Sequence, residues 1–125
     1  MAKDFNSQYV VDGYDEHIRK LIPGYDVVHQ QIKALLQTYA DEYAHVLIVG
    51  CGTGYELGYL LRSFPDWTFT ATELSETMLD KAKHHIHSLN ASHRVEFVLG
   101  DVDQLKPGQI YDAALSILVT HFVDY

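Results

Sequence analysis

Four aliphatic residues, Val46-Leu47-Ile48-Val49, run directly into Gly50-Cys51-Gly52-Thr53-Gly54. No other stretch constrains the fold as strongly. An uninterrupted apolar run of that length suits a strand buried in a parallel sheet. The alternating glycines let the backbone turn sharply and let a ligand approach with no Cβ in the way. The residues after them, 54–64, read as a helix with Leu57, Leu60 and Leu61 toward the sheet. Strand, glycine turn and helix in succession outline a nucleotide-cofactor site, with the ligand at the end of the strand and the start of the helix.

The rest of the chain repeats this alternation. Residues 1–9 are a polar lead-in. Val10, Tyr14, Ile18 and Leu21 recur at helical spacing, predicting a short amphipathic helix over residues 10–21 that Gly13 weakens and whose start it sets. Pro23-Gly24 breaks the chain. A second helix is expected from Asp26, as its N-cap, to Tyr39, with Val28, Ile32, Leu35, Leu36 and Tyr39 on its apolar face. The first strand follows at residues 45–49. Pro65-Asp66 closes the third helix, and residues 67–72, rich in aromatic and β-branched side chains, read as a second strand with Glu73 at its end. Ser75 caps a helix whose buried stripe is Met78, Leu79, Ala82, Ile86 and Leu89. A third strand is expected at residues 94–99, ended by Gly100-Asp101. A fourth is expected at residues 111–118, after the turn at Lys106-Pro107-Gly108, with a helix beginning at residues 120–125. This order predicts an α/β fold, a doubly wound, mostly parallel sheet with helices on both faces and four readable strands. It reads as a single domain, with N-terminal helices over residues 1–41 and a core over residues 42–125.

Composition narrows the function classes. The chain has 125 residues, of which 47% are hydrophobic, enough for one domain with a real core. No apolar run approaches the roughly 20 residues that cross a bilayer, and the first residues lack the apolar centre of a signal peptide. The formal net charge is −8, which argues against a broad grip on nucleic acid and favours a small-molecule substrate. Cys51 is the sole cysteine, so no internal disulfide forms and the cytoplasm is the simplest address. Packing as a small buried residue in the turn explains Cys51 better than reactivity does. His84, His85, His87 and His93 cluster, but no carboxylate or cysteine completes a ligand set at metal spacing, so a solvated helix end is expected and no metal site is assigned. His121, just past the fourth strand, is expected to pack, with a general-base role as the alternative.

Three polar features fall at the ends of successive strands: the glycine loop, Glu73 and Gly100-Asp101. Ligands of open α/β sheets bind at that edge. Glu73 lies 19 positions after Gly54, close to the distance at which a carboxylate reaches ribose hydroxyls, and a carboxylate accepts both hydrogen bonds of a diol.

These residues resemble a family. The run from Val46 to Gly54 resembles motif I of the class I S-adenosylmethionine-dependent methyltransferases. Thr70-Ala71-Thr72-Glu73-Leu74-Ser75-Glu76-Thr77-Met78-Leu79 resembles their second motif. Val95-Glu96-Phe97-Val98-Leu99-Gly100-Asp101 resembles the third, and Tyr111-Asp112-Ala113-Ala114-Leu115-Ser116 the start of the fourth. The resemblance implies a Rossmann-like fold, S-adenosyl-L-methionine as cofactor and methyl transfer as the activity. It implies that the loop Gly50, Cys51, Gly52, Thr53 and Gly54 passes under the methionine part of the cofactor. Glu73 would bind the ribose hydroxyls and Leu74 would pack on the adenine, with Met78, on the helix that follows, as a further cofactor-binding candidate. Asp101 would take the adenine amino group, with the Val102 amide facing a ring nitrogen. Ser116 and Ile117 would lie near the sulfonium. A shorter segment, Ile22-Pro23-Gly24-Tyr25, resembles one in relatives of the carboxy-S-adenosylmethionine synthases and makes Tyr14, Arg19 and Tyr25 candidates for closing over the cofactor.

The chain departs from the family pattern in two places. The family usually carries an acid, which helps anchor the methionine amino group, where this chain has Ile48. The family also continues with further strands, so the fourth strand is expected as an edge that truncation, a split gene product or an oligomer would explain. Two rival readings remain open. One is a non-catalytic cofactor-binding or interaction domain. The other is an NAD-binding domain, although the dinucleotide fingerprint needs its third glycine where this chain has Tyr55.

Overall fold

The structure is a computed structural model and describes residues 6–21 and 24–116. Four helices and four strands form in the order α1 (Gln8–Leu21), α2 (Tyr25–Tyr39), β1 (His45–Val49), α3 (Tyr55–Ser63), β2 (Thr68–Glu73), α4 (Glu76–Ser88), β3 (Val95–Leu99) and β4 (Ala113–Leu115). The strands make one sheet in the order β3-β2-β1-β4, and every neighbouring pair is parallel. The strand order reverses beside β1, so β1 sits at the topological switch point where such sheets bind ligands.

The register explains where the core forms. Val46 pairs with Phe69 and Ala113, and Ile48 with Ala71 and Leu115. Alternate residues of a strand share a face, so these side chains form one apolar surface. Leu36 of α2, Leu57, Leu60 and Leu61 of α3, and Leu79, Ala82 and Ile86 of α4 close over that surface. α1 packs on α4 and α2. All four described helices therefore gather on one side of the sheet. The second helical layer expected from the sequence is not seen among the described residues. The opposite face carries His45, Thr68 and Thr70, whose side chains hydrogen-bond one another, and His45 stacks on Tyr111 at 5.2 Å between ring centroids.

Several local expectations change. α1 starts before Gly13 and runs through it, with Val11 fully buried. Asp26 does not cap α2. The N-cap is Gly24, with φ 78° and no side-chain hydrogen bond, and Asp26 instead accepts a hydrogen bond from the Tyr55 hydroxyl at 2.7 Å. Leu35 and Tyr39 are exposed, while His29 and Leu36 are buried, so the packed face of α2 is rotated toward Val28, His29, Ile32 and Leu36. Ser75 caps α4 as expected, accepting from the Met78 amide at 3.1 Å. β4 is shorter at its start than its apolar pattern suggests, because Asp112 is used to fasten β1: its carboxylate accepts from the His45 amide at 2.7 Å and its amide donates to the His45 carbonyl at 2.8 Å. The helix expected at residues 120–125 lies outside the described residues, as does His121.

Arg94 locks the base of the sheet to the end of α3. Its guanidinium donates to the carbonyls of Leu61 and Phe64, at the end of α3, and of Trp67, just before β2, at 3.0–3.2 Å; a helix terminus leaves such carbonyls without intrahelical partners. Trp67 in turn stacks flat on Phe64, 3.8 Å between centroids. Replacing Arg94 with Ala takes this donor from the Leu61 and Trp67 carbonyls in a part-buried site, and the variant is expected to lose about 2–3 kcal/mol of stability, measured as a lower urea midpoint with an unchanged slope.

Candidate functional site

The site forms where β1 and β2 end side by side. Pairing of Val49 with Thr72 brings the glycine loop beside the end of β2. The amides of Gly50 and Cys51 both donate to the Thr72 carbonyl at 2.9 Å. Glu73 then meets the loop directly: Oε1 accepts from the Gly52 amide at 2.9 Å, and Oε2 accepts from the Ser75 amide at 2.8 Å. One carboxylate thus holds the loop to the start of α4. Each of its oxygens keeps further acceptor capacity.

Two glycines are required by geometry. Gly52 has φ +57° with nothing within 4 Å of where a Cβ would be, which leaves open space above the loop. Gly54 has φ +84°, and a Cβ there would lie 3.1 Å from Ala82 Cα. Its absence lets α3 begin against α4. Thr53 is buried, and its hydroxyl donates to Asp15 of α1 at 2.7 Å, tying the N-terminal helix to the loop. Cys51 is buried as well. Burial, and then the charge of Glu73, push its thiol well above the usual range.

The predicted residues divide by location. Tyr14 stands over the loop. Burial, then Asp15 and Glu73, raise the pKa of its hydroxyl. Leu74 is 69% exposed and Val102 48% exposed. Leu99 is also half exposed, so three apolar side chains lie uncovered along the strand ends. Asp101 is exposed and caps its own short turn: its Oδ1 accepts from the Asp103 amide at 2.9 Å, while its amide donates to Gln104 Oε1 at 3.0 Å. Met78 is buried in α4. Ser116 is exposed just past β4. Ile117, and the side chains of Arg19 and Tyr25, lie outside the described residues.

The structure adds residues that the motifs did not point to. A narrow cleft of about 50 Å³ runs beside the loop, lined by Tyr14, His29, Ile48, Tyr55, Glu56 and Leu115 together with residues 49–53. His29 Nδ1 is hydrogen-bonded to Glu56 Oε2, and both side chains are buried. The His29 ring also lies 4.9 Å from that of Tyr55. A signal for this pair was present in the sequence. His29 falls on the helical stripe of Ile32 and Leu36, and Glu56 on that of Leu60. Polar residues on a buried stripe need partners. Among the described residues no group of three or more His, Cys, Asp or Glu side chains is arranged to hold a metal. His85 packs on Gly58, and burial followed by the charge of Arg62 lowers its pKa. No described helix is long and apolar enough to cross a membrane.

Residues 46–125 match the family described as a methyltransferase domain. The chain belongs to the methyltransferase-domain family. It is 30% identical over 115 residues to a malonyl-[acyl-carrier protein] O-methyltransferase of Priestia megaterium, covering 89% of this chain and 40% of that protein. It is 27% identical over 97 residues to a carboxy-S-adenosyl-L-methionine synthase of Aeromonas hydrophila, covering 76% of this chain and 39% of that one. The chain thus spans about two fifths of the length of these curated relatives. Among solved structures, the fold is shared with a SAM-dependent methyltransferase from Thiobacillus denitrificans in complex with S-adenosyl-L-homocysteine. The TM-score is 0.62 at 24% identity, covering 74% of this chain and 36% of that one.

Burial and the Glu73 charge raise the pKa of Cys51, which disfavours the reactive thiolate in this glycine loop. Labelling with a chromogenic disulfide at about pH 8 is expected to be at least about 100-fold slower in the native chain than in urea.

Proposed function

We propose that this chain is the cofactor-binding part of an S-adenosylmethionine-dependent methyltransferase acting on a small-molecule acceptor. The observation that carries the reading is the contact between Glu73 and the Gly52 amide at 2.9 Å, which sets a strand-end carboxylate against an open glycine loop. A ribose diol donates to a carboxylate with spare acceptor sites, and Glu73 has them on both oxygens. The exposed Leu74, Leu99 and Val102 offer apolar contact for a flat base, a use that explains large apolar side chains left in water. Asp101 at the end of β3 supplies an acceptor for an exocyclic amino group. The space above Gly52 leaves the backbone reachable by the remainder of the ligand. Family membership and the S-adenosylhomocysteine held by a neighbour of the same fold support the same assignment.

When bound, the cofactor supplies an activated methyl on a sulfonium; the sulfur keeps the electron pair of the broken bond as the acceptor forms the new one. The work left to this chain is alignment and exclusion of water. Thr53, through Asp15, holds α1 and its Tyr14 beside the loop and so narrows the entrance. An acceptor approaching past Ser116 reaches the site from the β4 side. A reducing, cytoplasmic setting belongs to the same reading, since the one cysteine is buried as a protonated thiol.

Calorimetric titration with S-adenosylhomocysteine tests the assignment. Binding is expected for the chain as it stands, and absence of binding at millimolar ligand refutes the cofactor reading. Glu73→Ala is expected to weaken binding by about 10- to 100-fold. It should also lower the melting temperature, because the amides of Gly52 and Ser75 lose their acceptor. Unchanged affinity in that variant would remove Glu73 from the ribose role.

A further inference from the structure

The adenosine site leaves one buried polar pair unused. Glu56, on α3, is 9% exposed, and its Oε2 is held by His29 of α2. Its other oxygen, Oε1, is buried with no hydrogen-bond partner among the described residues. A buried carboxylate oxygen without a donor is disfavoured unless something else completes it. Both side chains line the cleft beside the glycine loop. Glu56 is the only carboxylate among the described residues lining that cleft. The cleft has room for roughly three or four waters, which suits a small charged head and not a nucleoside. Ile48 also lines it, buried at 4% exposure and without charge.

We propose that Glu56 is the residue that binds the ammonium group of the ligand's amino-acid end, with Oε1 accepting from the ammonium while His29 holds Oε2. The assignment rests on the S-adenosylmethionine reading above and adds a residue that accepts from the ammonium in a chain whose first strand carries no acid. The geometry gives each group a task. His29 fixes the carboxylate's rotamer from the covering helix, the first turn of α3 presents the carboxylate to the cleft, and Ile48 seals the cleft floor.

The test compares two ligands on the full chain. S-adenosylhomocysteine carries the amino-acid end; 5′-methylthioadenosine shares the nucleoside and thioether and lacks it. Glu56→Gln is expected to weaken S-adenosylhomocysteine by about 10- to 100-fold and 5′-methylthioadenosine by less than about twofold. The double variant His29→Leu/Glu56→Leu replaces the whole pair with apolar side chains, a change that buried pairs often tolerate, and is expected to show the same selectivity should the Gln variant fail to fold. Without any substitution, the deaminated analogue of S-adenosylhomocysteine is expected to bind about 10-fold more weakly than its parent. Equal loss for both ligands, no loss for S-adenosylhomocysteine, or equal binding of the deaminated analogue overturns the proposal while leaving the cofactor reading intact. Failure of the unaltered chain to bind either nucleoside overturns both.

Discussion

Two backbone amides, those of Gly52 and Ser75, end on one carboxylate, and the shape of the site follows from that. Glu73 lies where β2 stops, one register position beyond the pair that aligns it with β1. By accepting from the loop after β1 and the cap of α4, it joins two strand–helix connections that have no covalent link near this point. A carboxylate hydrogen-bonded to backbone amides makes stronger bonds than a neutral acceptor would. The same group is then available to a ligand, so the brace of the loop and the proposed ribose contact are one residue.

Around that brace the molecule is built one-sidedly. Three helices bury their apolar stripes against the same face of the sheet, and α1 is fastened to α4 and to the loop by polar contacts. Lys81 donates to the Val11 carbonyl at 3.0 Å, Thr77 to the Asn6 carbonyl at 2.8 Å, and Thr53 to Asp15 at 2.7 Å. Hydrophobic burial is roughly proportional to area and indifferent to direction, whereas these bonds depend on geometry. The buried Glu56–His29 pair belongs to the same layer, joining the covering helix α2 to the helix that starts at the glycine loop.

The strands and the glycine loop were legible because their signals are local. An unbroken aliphatic run, glycines at positions that adopt positive φ, and a serine placed to accept from the Met78 amide each act within a few residues of themselves. The α2 helix was read to within two residues at its start and correctly at its end, with a wrong cap and with Leu35 and Tyr39 wrongly added to a face that does include Val28, Ile32 and Leu36. Asp26 has the chemistry of an N-cap, but its carboxylate was drawn to the Tyr55 hydroxyl, 29 positions away. Leu35 and Tyr39 looked like core by spacing, but the helix turned His29 inward to reach Glu56. A sequence pattern weighs apolar residues, and a buried hydrogen-bonded pair is a competitor it does not weigh.

The sequence by itself determined the parallel α/β order, the place of the glycine loop and the identity of Glu73 and Asp101 as strand-end acids, because period, turn chemistry and capping are written in neighbouring residues. Only the tertiary structure decided which partners those groups take. It gave Glu73 to Gly52 and Ser75, turned Asp101 back into its own turn, and brought His29 and Glu56 together beside Ile48. Contacts between residues far apart in the chain depend on register and on how each helix rotates against the sheet. Those rotations are settled by packing many side chains at once, which no single stretch of sequence carries.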